Sequence, residues 1–145
     1  MVVLKEITRE NLDEVLALSV AKHQKSFVST TADSLAQAYV YQDTAFPFVI
    51  YADEKPVGFI MLGYYESRKQ YTLWKFLIDK EHQGKGYGKE ALKQGITYLT
   101  EQFGAKEIYT GVSLGNEVAK RLYKSLGFVE TGLIEDGMEE LRLEC

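Results

Sequence analysis

Three glycines at alternate positions, in Gln83-Gly84-Lys85-Gly86-Tyr87-Gly88-Lys89, constrain this chain more than any other feature. They follow an apolar run, Leu73 to Ile78, that reads as a buried strand. They precede an amphipathic pattern that starts near Gly86. Strand, Gly-rich turn and helix N-terminus in that order make an anion site. The first N–H groups of a helix lack intrahelical partners and the macrodipole is positive there. Glycine lets the backbone approach a phosphate closely. Lys85, Lys89 and Lys93 crowd this helix start, where positive charge is unfavourable unless an anion such as a pyrophosphate neutralises it. The commoner phosphate motifs do not fit. A Walker A loop needs Ser or Thr after its Gly-Lys, and Lys89 is followed by Glu90. A dinucleotide fingerprint needs two residues before its third glycine, whereas Gly84, Gly86 and Gly88 are evenly spaced.

The rest of the chain supplies elements for one domain. Val2 to Ile7 reads as a strand. Thr8 or Asn11 can cap the next helix, and Asn11, with Glu14 three residues on, resembles a capping box. A second helix is predicted from Asp33 to Tyr41, with Leu35, Ala38 and Tyr39 inward. Phe46 to Ala52 and Val57 to Tyr65 form a hairpin around Asp53-Glu54-Lys55-Pro56. Tyr71 to Ile78 is the central strand. The helix after it turns Tyr87, Ala91, Leu92, Gly95, Leu99 and Phe103 to the sheet and stops at Gly104. Glu107 to Val112 is a strand. Asn116 caps a helix bearing Val118, Ala119, Leu122, Tyr123 and Leu126, which Gly127 ends. Phe128 to Thr131 and Met138 to Leu143 close the chain. Hairpins followed by one strand–helix–strand unit predict an α/β fold, with a central mixed sheet flanked by helices.

Charge narrows the partners. A net charge of −4 argues against a nucleic-acid binder. No apolar run is long enough for a membrane span. The N-terminus lacks the pattern of a signal peptide, so a cytoplasmic location is the default expectation. One cysteine, Cys145, and two histidines, His23 and His82, make a His/Cys metal site improbable, and no metal is expected.

Gln83, Gly86 and Gly88 fill a pattern of Gln or Arg, two residues, Gly, one residue, then Gly or Ala. This resembles the acyl-CoA signature of the GNAT superfamily of N-acetyltransferases, and the element order matches that fold along essentially the whole chain. Leu73 to Asp79 running into His82 to Lys89 resembles the bacterial spermine/spermidine N-acetyltransferases within it. Lys55-Pro56-Val57-Gly58-Phe59, Arg121-Leu122-Tyr123 and Gly127-Phe128 fit the same group.

The resemblance implies roles. Acetyl-CoA is the expected cosubstrate, its phosphates on Gln83, Gly84, Lys85, Gly86, Tyr87, Gly88 and Lys89. Its pantetheine arm is expected along the main chain of Phe76, Leu77 and Ile78. Leu77 N–H is the expected oxyanion donor, a task backbone amides perform well. Asn116 is expected to contact the cofactor, and Tyr123 to protonate the leaving thiolate. With ordinary pKa values of about 10 for a phenol and about 8.5 for a thiol, that transfer is close to balanced. The acceptor is a small primary amine, a polyamine among the candidates, with His23 to Thr31 in its wall. Such an amine must lose a proton, and Glu66 or Glu81 is the expected base. With Cys145 outside every motif, the amine attacks directly in a ternary complex. A homodimer is the assembly the resemblance suggests. An amino acid, an antibiotic amine and a protein N-terminus remain open as acceptors, and a non-catalytic CoA-binding regulatory module as a role. Tyr123 as a core aromatic, and Glu66 and Glu81 as solvated surface acids, are the plain structural alternatives.

Overall fold

The computed structural model describes residues 1–145. Seven strands and four helices follow in chain order. They are β1 (Val2–Lys5), α1 (Leu12–Ala17), α2 (Thr31–Val40), β2 (Ala45–Ala52), β3 (Lys55–Tyr65), β4 (Gln70–Ile78), α3 (Tyr87–Phe103), β5 (Glu107–Ser113), α4 (Glu117–Ser125), β6 (Val129–Glu135) and β7 (Met138–Glu144). The strands form one sheet in the order β1-β2-β3-β4-β5-β7-β6. Every neighbouring pair is antiparallel except β4 and β5. The α3 crossover between those two strands requires that exception. The mixed sheet flanked by helices is the predicted architecture.

Each face of the sheet has its own core. Ile60, Leu62, Leu73, Ala91, Leu92, Leu99, Tyr123 and Phe128 belong to the larger one, beneath α3 and α4. Val15, Leu18, Val49, Phe59, Met61 and Leu77 form the smaller one, beneath α1 and α2. Strands buried on both faces explain why β3 and β4 read as near-continuous apolar runs rather than alternating ones.

Three local expectations need correction. Asn11 precedes α1 but makes no cap hydrogen bond. Its Oδ1 accepts from Thr8 N–H at 2.8 Å and its Nδ2 donates to the Glu6 carbonyl at 3.0 Å, so it braces the turn before the helix. Tyr39 is 75% exposed, because α2 begins at Thr31 and buries Thr31 and Ser34 instead. Val118 is exposed as well, leaving Ala119, Leu122 and Tyr123 to seat α4.

The end of α4 has a clear physical cause. Gly127 N–H donates to the Lys124 carbonyl and Phe128 N–H to that of Tyr123, with Gly127 at φ 103°. This is a Schellman motif, completed by the expected apolar contact, here the Tyr123 and Phe128 rings at 5.5 Å. Leu126-Gly127-Phe128 thus positions Tyr123 whatever chemistry Tyr123 performs.

The parallel pair β4–β5 is the feature that builds a site. Register runs only from Tyr71 opposite Ile108 to Leu73 opposite Thr110. Beyond Leu73 the two strands part, although β4 continues to Ile78 and β5 to Ser113. A register shift between Met61 and Leu62, opposite Trp74, accompanies the parting. Such bulges bend a strand and increase its twist.

Candidate active site

The gap between β4 and β5 opens into two adjoining cavities. The outer one, about 490 Å³, is lined by Phe76, Leu77, Ile78, Gln83, Gly84, Gly86, Tyr87, Gly88, Lys89, Asn116 and Leu122, among others. The inner one, about 310 Å³, contains Ser29, Trp74, Lys75, Thr110, Ser113 and Tyr123 in its wall. Phe76, Leu77 and Asn116 line both, so they join the Gly-rich loop to Tyr123. Lys85 is exposed in the loop and outside the lining of the cavity.

The loop is built as an open cradle. Gly86 is the N-cap of α3 at φ 83° with no side-chain cap, so the first N–H groups of a 17-residue helix face outward unpaired by any side chain. A Cβ on Gly86 would meet no protein atom within 4 Å, so the space above the backbone is free for a ligand. Gly88 differs. A Cβ there would sit 3.1 Å from Phe76 Cζ, so this glycine lets α3 close on β4. The Gln83 side chain braces the loop from behind. Its amide donates to the Ile78 carbonyl at 2.9 Å and exchanges two hydrogen bonds with the amide of Gln24.

The register corrects one assignment. Asp79 N–H donates to the Val57 carbonyl, and the Leu77 carbonyl lies against Gly58 of β3. Polar groups of successive strand residues point to opposite edges. Leu77 therefore presents its N–H to β3, and Phe76 and Ile78 present theirs to the gap. The Leu77 N–H, expected as the oxyanion donor, therefore does not face the gap. Phe76, which also faces the inner cavity, is the better-placed amide.

Tyr123 is 5% exposed and lines the inner cavity. Burial pushes its phenol up to about 12, while a hydrogen bond with the Thr110 side chain acts the other way. The near balance estimated from ordinary pKa values does not hold. Against a thiol at its ordinary value, transfer from a phenol at about 12 is uphill by about 3.5 units, roughly 5 kcal/mol. A thiolate in the same cavity suffers the same desolvation, which raises its basicity and narrows the difference. The raised pKa also bears on stability. The folded form holds the Tyr123 proton more tightly than the unfolded chain does, so its contribution is complete below pH 10 and lost as pH rises toward 12. Two units amount to roughly 2.7 kcal/mol. Unfolding free energies measured between pH 9 and 12 are expected to fall less steeply in Tyr123→Phe than in the parent chain.

The proposed bases are not brought to Tyr123. Glu81 is exposed in a 3-10 turn, Lys80–His82, after β4, where its N–H donates to the Asp79 carboxylate. Glu66 lies in the turn before β4 and lines a separate cavity. They stand at opposite ends of the strand, and neither borders the inner cavity, whose wall contains no carboxylate.

Lys75 joins the site without being among the residues expected there. Its ammonium donates to Ser29 Oγ at 2.9 Å beside the inner cavity. Desolvation lowers its pKa, and nearby Asp33 partly opposes that shift. The signal was a lone charge inside an apolar strand. The segment after α1 also bridges the gap. Ser19 N–H donates to the Asp79 carboxylate, and Ser113 Oγ donates to the Phe27 carbonyl. Ser26 to Ser29 thereby form one wall of the inner cavity, on the stretch expected to face an acceptor. No group of three or more His, Cys, Asp or Glu that could hold a metal ion is present, and no helix is long and apolar enough to cross a membrane.

An opened parallel strand pair beside a Gly-rich helix start defines a class of acyl-transfer fold. The chain belongs to the acetyltransferase (GNAT) family, whose model matches residues 12–128, and it is an N-acetyltransferase. It is 33% identical to the spermine/spermidine N(1)-acetyltransferase of Bacillus subtilis (strain 168), over 97% of this chain and 96% of that one. The same identity and coverage hold for a probable spermine N(1)-acetyltransferase of Bacillus subtilis subsp. natto (strain BEST195). Among solved structures, spermidine N-acetyltransferase from Vibrio cholerae in complex with CoA and spermine superposes with a TM-score of 0.79 at 20% identity, over 99% of this chain and 95% of that one.

Proposed function

We propose that this chain transfers the acetyl group of acetyl-CoA to a primary amine of a small molecule, by direct attack in a ternary complex. The carrying observation is the continuous path from the Gly86 cradle, along the freed edge of β4, to Tyr123. The α3 N-terminus and Lys89 would hold the pyrophosphate. The gap-facing groups of Phe76 and Ile78 would pair with the pantetheine arm, and Asn116 borders the same path. The Phe76 N–H would donate a hydrogen bond to the thioester oxygen as negative charge develops on it. Tyr123 would deliver its proton to the departing sulfur.

With no carboxylate in the inner wall, loss of the amine's proton needs another source. An apolar wall and the nearby Lys75 ammonium both disfavour a second positive charge, so they lower the pKa of an amine bound there. Cys145 pairs its N–H with the Lys106 carbonyl, beside the start of β5, whereas Tyr123 shares the inner cavity with Thr110 to Ser113 of that strand, which speaks against an acyl-cysteine route. The relatives named for spermine and spermidine favour a polyamine acceptor. An oligomer is the assembly we expect, since one structure with this fold is described as a dodecameric spermidine N-acetyltransferase from Vibrio cholerae.

Initial-velocity measurements test direct attack in a ternary complex. Varying acetyl-CoA at several spermidine concentrations is expected to give intersecting reciprocal plots. Parallel plots would indicate a covalent acyl-enzyme and overturn direct attack.

A further inference from the structure

The inner cavity holds the reacting end of the acceptor but has nothing to recognise a polycation. Its wall carries the Lys75 ammonium and no carboxylate. Recognition of a second positive charge must occur elsewhere. The indole of Trp74 borders the inner cavity and also a neighbouring one of about 430 Å³. That neighbour is walled by Tyr41, Tyr64, Tyr65 and Trp74, with Glu66 as its one acidic residue.

The fold seats this aromatic wall firmly. Gly63 leaves room for the indole on β3. A Cβ there would stand 3.2 Å from Trp74 Cε3 and 3.1 Å from the Thr44 carbonyl. Tyr41 meets Trp74 edge-on at 5.9 Å. Glu66 enters none of the seven salt bridges in the chain, so its carboxylate is available to a ligand. Aromatic faces and one uncommitted carboxylate are complementary to an alkylammonium ion.

We propose that the cavity walled by Tyr41, Tyr64, Tyr65, Trp74 and Glu66 binds the distal ammonium of a long oligoamine acceptor, past Trp74 from the acetyl-transfer site. The assignment rests on the amine-acetyltransferase reading and makes Glu66 a specificity residue instead of a base. Strand geometry sets the length. At ~3.3 Å per residue, Trp74 lies roughly 7–10 Å along β4 from Phe76 and Leu77. A second ammonium must reach at least that far from the reacting nitrogen. Triamines and tetramines do so, whereas short diamines and monoamines do not.

Trp74 is the chain's single tryptophan, so its emission reports occupancy without any chemistry. Spermidine, titrated in the absence of acetyl-CoA, is expected to change Trp74 fluorescence saturably. In Glu66→Gln the half-saturating concentration should rise at least about tenfold, the low end for losing a hydrogen bond to a charged group. Glu66→Asp should recover part of that loss, and propylamine should respond alike in the parent and in Glu66→Gln. In turnover, Glu66→Gln should raise KM for spermidine and leave kcat unchanged, as expected for a group remote from the bond-making step. A spermidine titration without saturable change, or with the same midpoint in Glu66→Gln, would overturn the subsite. Because fluorescence needs no acetyl transfer, failure of the subsite and failure of the enzymatic reading register separately.

Discussion

Tyr123→Phe is expected to lower kcat by about 10²- to 10³-fold, within the range for losing a positioned general acid. CoA affinity should remain near that of the parent chain. The two effects separate because the ring and the hydroxyl do different work. The ring closes the Schellman motif with Phe128 and fills the larger core, and phenylalanine keeps both contacts. The hydroxyl, the one group the variant removes, is the proposed proton donor on a residue that lines the inner cavity. A phenol held at about 12 stays protonated across the working range, so no alkaline loss of activity below about pH 10 should trace to Tyr123. Steady-state kinetics on the variant, with CoA binding measured by calorimetry, checks both halves. Unchanged kcat would reduce Tyr123 to a core aromatic that anchors the end of α4.

Gly86→Val should abolish measurable CoA binding at concentrations that saturate the parent. Two separate costs arise. At φ 83° a β-branched residue is strained by about 1–3 kcal/mol, which bears on folding. Its side chain would also project into the free space above the helix start, displacing a phosphate from amide donors worth about 1.5–3 kcal/mol each. Loss of two such donors exceeds a hundredfold in affinity. The variant should still fold, since no protein atom lies within 4 Å of the new Cβ. Gly88→Val supplies the contrast. Its Cβ would press on Phe76, so that variant should lose thermal stability as well as binding. Calorimetric CoA titration beside thermal unfolding distinguishes the two. Normal CoA affinity in Gly86→Val would remove the Gly-rich loop from the binding site.

The element order and the Gly-rich loop were legible because they depend on local signals. Gly86, Gly104 and Gly127 each occupy positive φ at a helix end, and Asn116 caps α4 through the Ala119 N–H. What escaped the sequence depends on pairing. Which edge an amide faces follows from register, and the register of β4 against β3 includes a shift opposite Trp74. An alignment of motifs could name Phe76, Leu77 and Ile78 but not divide them between the gap and β3. Parting of β4 from β5 is likewise a main-chain property, invisible in side-chain identity. Glu66 shows a different failure. It precedes β4 whereas the Gly-rich loop follows it, so chain order already placed the two at opposite ends of one strand. Lys75 is hard to single out because its apolar neighbours make the strand look like plain core, although a charge there needs a partner or a cavity.

Acetyl transfer from the thioester to an amine at this site would release one free CoA thiol per turnover. Thiol release from acetyl-CoA, followed with and without spermidine, spermine and propylamine, tests it most directly. Release that requires an amine, and is fastest with the oligoamines, is the predicted result. Absence of release with every amine, in a chain that binds CoA tightly, would contradict it.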